Sequence, residues 1–151
     1  MKAYIALLMI GCSIFSAGVI ASEPESKRIK QAALDYIESQ HQVDKKRMAR
    51  ALHPEMKKRT WWIDKNQSDV VMETSYDTML KVAQTYNADG RQFPEQPSKK
   101  VEILDWDHRV ASVKLTADDW IDYMHLVKVN GEWKVINVLW QYKDHKRHKS
   151  R

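Results

Sequence analysis

Asp122 has the most chemical potential in this chain, because it stands between Ile121 and Tyr123 and two residues from Met124. A carboxylate among apolar side chains has its pKa raised by desolvation, which suits a general base or a neutral hydrogen-bond donor. The same residue could instead tie down a loop by accepting backbone N–H bonds. His53, which precedes Pro54, is the second candidate for proton transfer, and its plainer role is to close a helix as the chain turns. Asp122 and His53 are thus the expected catalytic residues. Arg59 offers a guanidinium fork for an anion, or a rim partner for an acid. Tyr36, Trp61, Met124 and Leu139 are the expected apolar walls, and Asn137 is expected to share a polar network with Asp122. Residues of these types at these spacings also build ordinary cores, so this ligand set stands as an expectation.

Half of these candidates, Asp122 among them, belong to one run, Trp120 to Tyr142, with Asn130-Gly131 near its middle. Asn-Gly between alternating apolar runs signals a β-hairpin with a two-residue turn. Such a turn pairs Val129 with Glu132, and regular pairing then sets Leu126 against Val135, Met124 against Asn137 and Asp122 against Leu139. With a period of two, one face carries Asp122, Met124, Leu126, Val135, Asn137 and Leu139. The other carries Tyr123, His125, Val138 and Trp140. Both are apolar enough to need cover, one from helices and the other from a second layer or subunit. The expected partner is therefore a second copy of the chain, joined through Tyr123, His125, Val138 and Trp140.

The elements upstream follow from periodicity. Ile29, Ala32, Ala33, Tyr36 and Ile37 form the stripe of an amphipathic helix. Asp44 reads as the N-cap of a shorter helix that ends by His53-Pro54. A strand is expected over 57–64, a partner over 69–73, and a third helix opening at Thr74 or Ser75. After a proline-bearing loop, strands are expected over 101–106, 110–117, 120–129 and 132–142. Helices followed by a curved antiparallel meander make an α+β domain, in which three helices cover one sheet face and leave a cone-shaped interior.

Composition narrows the function. Residues 1–21 have a basic start at Lys2, an apolar stretch and small residues before Ser22, the pattern of a signal peptide cleaved near Ala21. A membrane anchor and a lipid on Cys12 are the competing readings of that segment. Cleavage implies a periplasmic or secreted domain over 22–142 with a basic, flexible tail over 143–151. Cys12 is the sole cysteine, so the mature chain has none for thiolate catalysis or metal binding. No histidine spacing suggests a metal site, and no phosphate loop or dinucleotide fingerprint suggests a cofactor. The net charge of +5 is misleading, because the segment 22–142 has nineteen bases and nineteen acids. A neutral domain argues against nucleic acid, and the basic tail suggests at most weak contact with an anionic membrane.

Several motifs bring a family into view: Ala33-Leu34-Asp35-Tyr36-Ile37, Ala51-Leu52-His53-Pro54-Glu55 with Lys58-Arg59, Ala111-Ser112-Val113-Lys114, and Asp122-Tyr123 with His125-Leu126. With Gly131-Glu132-Trp133-Lys134-Val135-Ile136-Asn137-Val138-Leu139-Trp140, they resemble the nuclear transport factor two-like superfamily, in the branch named for lumazine binding. The resemblance spans most of 28–142 and implies the cystatin-like cone. Its members include isomerases, dehydratases, carriers and dimeric modules. Two functions therefore remain open: a small-molecule pocket with acid–base chemistry of the isomerase or dehydratase type, or a non-catalytic dimeric interaction module whose cone is filled.

Overall fold

The computed structural model describes residues 23–150, so the expected signal segment, its cleavage point and Cys12 lie outside the described residues. Helix α1 (Glu25–His41) buries the stripe of Ile29, Ala33, Tyr36 and Ile37. Helix α2 (Lys45–Ala51) starts where the Asp44 side chain accepts from the Arg47 N–H at 2.9 Å, satisfying one free donor of the first turn. Helix α3 (Tyr76–Thr85) is capped the same way by Ser75. It stops before Gly90, whose φ of 71° serves the following turn.

Six strands form one sheet: β1 (Leu52–Ile63), β2 (Asp69–Ser75), β3 (Lys99–Asp107), β4 (Val110–Ala117), β5 (Trp120–Val129) and β6 (Glu132–Tyr142). Their order is β2-β1-β6-β5-β4-β3. The meander from β3 to β6 is antiparallel, and β1 joins it alongside β6 in parallel. The helices cover one face, where Tyr36, Met48, Leu115, Met124, Leu126 and Val138 share the core. This is the expected α+β cone. β1 begins at Leu52, earlier than expected, and takes in Pro54. The pairing with β6 slips between Leu52 and Lys57, and a proline is tolerated at such an irregularity because no ladder donor is needed there.

The hairpin turns at Asn130 (φ 50°) and Gly131 (φ 81°), the two positive angles of a type I′ turn. The expected register holds from Val129↔Glu132 to Leu126↔Val135. Then β6 bulges at Ile136, and the next pairs are His125↔Asn137, Met124↔Val138, Tyr123↔Leu139 and Asp122↔Trp140. One extra residue reverses every later side chain on that strand. Asn137 and Leu139, expected inside, lie outside with His125 and Tyr123, and Leu139 is 53% exposed. Val138 and Trp140, expected on the partner face, lie inside, and Val138 is fully buried.

Residues 143–150, expected from composition to be flexible, fold back as a strap. The Ile63 N–H donates to the His148 carbonyl at 2.9 Å, and the Ser150 N–H donates to the Ile63 carbonyl at 2.8 Å. His148 is fully buried.

Candidate ligand pocket

Three buried polar side chains meet under the helices. Asp122 from β5, Lys58 from β1 and Tyr36 from α1 converge because Lys58 shares the inward parity of Met56 and Thr60. The Lys58 Nζ donates to the Tyr36 hydroxyl at 2.6 Å and to Asp122 Oδ1 at 3.2 Å. Burial works against the Lys58 ammonium, but Asp122 and Tyr36 more than offset it and hold its pKa above the usual lysine value. Burial pushes the Asp122 carboxyl up, with Lys58 opposing. It also pushes the Tyr36 phenol up to about 12, so that group stays neutral. An ammonium has three donors, and these two bonds leave one for a further acceptor.

Lys58 lines two neighbouring cavities. The inner one, bounded by Tyr36, Gln40, Phe93, Trp120 and Asp122, holds about 20 Å³, enough for one water. The outer one holds about 230 Å³ at the cone mouth. Its walls include Trp120, Trp140, Tyr142 and Tyr86, with Thr74 and Thr78 at the rim. This arrangement can accept a flat apolar body between aromatic faces and offer one charge-assisted hydrogen bond at its base.

Of the expected site residues, Asp122 and Tyr36 come together, and Met124 lies in the core behind them. The others lie elsewhere. His53 accepts the Glu55 N–H on Nδ1 at 3.1 Å and bounds neither cavity, so it organises its own strand. Arg59 donates to Asn137 Oδ1 at 3.1 Å and pairs with Glu73 at 2.8 Å, a cross-strand bracket outside the pocket. Asn137 also approaches His125 at 3.3 Å, not Asp122. Trp61 stacks on His148 at 4.6 Å. Leu139 is on the outer face. Sequence reasoning missed Lys58, Gln40, Trp120, Tyr86 and Tyr142. The parity of Met56, Lys58 and Thr60 along β1 was the available signal for Lys58.

Comparisons with known proteins agree with this fold. The model of the family described as Putative lumazine-binding matches residues 24–141. No curated protein matches the sequence. Among solved structures, the chain is similar to an NTF2-like protein of unknown function from Silicibacter pomeroyi, at 10% identity and a TM-score of 0.64, covering 79% of this chain and 96% of that one. It is also similar to a ketosteroid isomerase-like protein from Erwinia carotovora, at 13% identity and 0.52, covering 82% and 99%. A third similar structure carries the name Putative Scytalone Dehydratase, from Novosphingobium aromaticivorans, at 15% identity and 0.51, covering 79% and 84%. Identities this low speak for the fold alone, whereas the family match spans most of the domain. The chain therefore belongs to the Putative lumazine-binding family and has the NTF2-like fold.

Proposed function

We propose that the protein binds a flat, largely apolar small molecule at the mouth of its cone, with a hydrogen-bond acceptor on the ligand meeting Lys58. The observation that carries this reading is a buried ammonium with a donor to spare at the base of an aromatic-walled cavity of about 230 Å³. Acid–base turnover of the isomerase or dehydratase type would need Asp122 to reach the ligand. The space beside Asp122 admits one water, so Asp122 serves as the counter-charge of Lys58 and binding takes precedence over catalysis. Export, read from residues 1–21, would place this binding in the periplasm or outside the cell. Mass spectrometry of the mature protein should then find Ser22 first, and an intact Met1 or a lipid on Cys12 would overturn that part.

The test is native mass spectrometry of protein purified from its own envelope, compared with Thr78→Trp. Thr78 is exposed on α3 at the cavity rim, so a bulky indole there blocks entry without touching the Lys58 cluster. A small molecule retained by the parent and lost from the variant supports the pocket. Equal retention in both would sink it.

A second reading, a dimeric interaction module, has its own support. The outer sheet face exposes Val110, Tyr123 and Leu139 beside a groove of about 420 Å³. The face proposed for a second copy keeps Tyr123 and His125 and replaces Val138 and Trp140 with Leu139 and Val110. Sedimentation should give a dimer that Leu139→Glu dissociates; a monomer at micromolar concentration in both chains would count against it.

A further inference from the structure

The strap occupies a gap in the sheet. The parallel register of β1 with β6 ends at Arg59↔Leu139, and further along β1 the strap pairs with it, through Ile63↔Lys149. His148 fills the space between the diverging strands. Its ring lies 4.6 Å from Trp61, 5.4 Å from Trp62, 5.4 Å from Trp140 and 5.2 Å from Tyr142, measured between centroids.

The neighbours of this ring determine its chemical state. The main-chain N–H of Tyr142 donates to Nε2 at 2.6 Å, and a backbone N–H can only donate, so Nε2 carries a lone pair. Nδ1 lies 3.1 Å from the Trp61 carbonyl, which can only accept, so Nδ1 carries the hydrogen. Thr60 Oγ1 is 3.5 Å from Nδ1 and donates its own proton to the Trp140 carbonyl at 2.6 Å. His148 is therefore neutral and in the Nδ1–H tautomer, set from both sides by main-chain groups with a single role. A second proton, on Nε2, would point straight at the Tyr142 N–H.

We propose that His148 is a positioning residue for the candidate pocket: when neutral it holds the Trp140 and Tyr142 rings, and on gaining a proton it undocks with the strap and loosens that wall. The inference rests on the pocket reading only in taking Trp140 and Tyr142 as ligand walls. The carboxylates near the ring are committed to other partners and leave an imidazolium without a counter-charge. On the strap, Arg147 and His145 oppose it, and the Asp144 carboxylate is engaged with the Lys146 N–H at 3.1 Å. From the β4–β5 turn, Asp119 is taken by Arg147 at 2.7 Å. On β6 the titratable neighbour is Tyr142, and on β1 it is the Lys58 ammonium, 4.9 Å from the Trp140 ring centre. Burial pushes the His148 pKa below the ordinary histidine value, and the Trp61 carbonyl opposes this in part. A base whose pKa is lowered by docking favours the docked state fully above about pH 6.5, and that preference is lost progressively as pH falls.

Nitrogen-resolved NMR of the histidine side chains tests this without any variant. At about pH 7.5, His148 should show the Nδ1–H tautomer; finding the commoner Nε2–H form would overturn the proposal. On titration to about pH 5, protection of the Tyr142 amide should fall about tenfold, beyond the intrinsic pH effect, and the Trp140 indole signal should shift with it. A Trp140 signal that stays put while the amide opens would overturn the positioning role. His148→Gln keeps a donor and an acceptor but cannot ionise, so both signals should lose their pH response. The same acid response in that variant would overturn the assignment to His148. All these signals are recorded without ligand, so they are separable from the Thr78→Trp experiment, on which the pocket itself depends.

Discussion

Trp140 touches two buried titratable groups that meet the cost of burial in opposite ways. Lys58, over its ring at 4.9 Å, keeps its charge and is compensated by Asp122 and Tyr36. His148, 5.4 Å away between ring centres, gives up charge altogether and is stabilised by main-chain partners. The difference follows from where each is anchored. Lys58 is in the middle of β1, within the sheet, and cannot leave without unfolding it. His148 rides on a short strap beyond the last strand and can. The first arrangement is a condition for folding, and the second is conditional on the surroundings.

The largest test of this contrast is Lys58→Met, which leaves Asp122 buried without its counter-charge. Removing one member of a buried pair costs about 3–5 kcal/mol, and chemical denaturation should report a loss of that size. Adding Asp122→Leu should restore most of it, since an apolar pair avoids the uncompensated charge. Failure of the double variant to recover would mean that packing, not charge, holds the cluster. Tyr36→Phe should come next, at about 1–3 kcal/mol, because it strands one donor of a buried ammonium. His148→Ala should cost less, about 1–2 kcal/mol, since the loss cannot exceed what docking of the strap contributes. A penalty as large as that of Lys58→Met would erase the distinction drawn here. The smallest effect concerns pH. Between about pH 6.5 and pH 5 the parent's melting temperature should fall as His148 gains a proton, whereas Asp122, raised by burial, contributes in the opposite direction because protonation relieves its burial. His148→Gln should therefore be flatter than the parent over that range. An identical slope in both would show that the decline comes from elsewhere.

The helices, the hairpin turn and the burial of Asp122 were all legible in the sequence, because each depends on local chemistry: an apolar stripe, an Asn-Gly pair, a capping side chain, an acid flanked by apolar residues. What could not be read depends on relations between distant parts of the chain. Ile136 carries no glycine or proline to mark a bulge, and without it the parity of Asn137, Val138, Leu139 and Trp140 comes out reversed. Lys58 sits in the run Lys57-Lys58-Arg59, which looks like a solvated edge until β1 is placed between β2 and β6. His148 lies in a polar stretch with no periodicity, and only the divergence of two strands creates the gap it fills. Charge and composition predicted a loose end, yet four aromatic rings surround that histidine.

The bulge at Ile136 also bears on how such a chain can vary. A strand that must keep one side inward is ordinarily intolerant of a one-residue insertion or deletion, because every later position would change sides. Here the slip separates β6 into two stretches whose phases are independent: Trp133 and Val135 on the turn side, Val138 and Trp140 on the pocket side. Excising Ile136 alone would leave both stretches facing as they do now, with a regular ladder between them. Relatives of this protein can thus differ by one residue at this point and keep the same interior, and sequence alignments drawn without a gap there would match inward positions of one chain to outward positions of another.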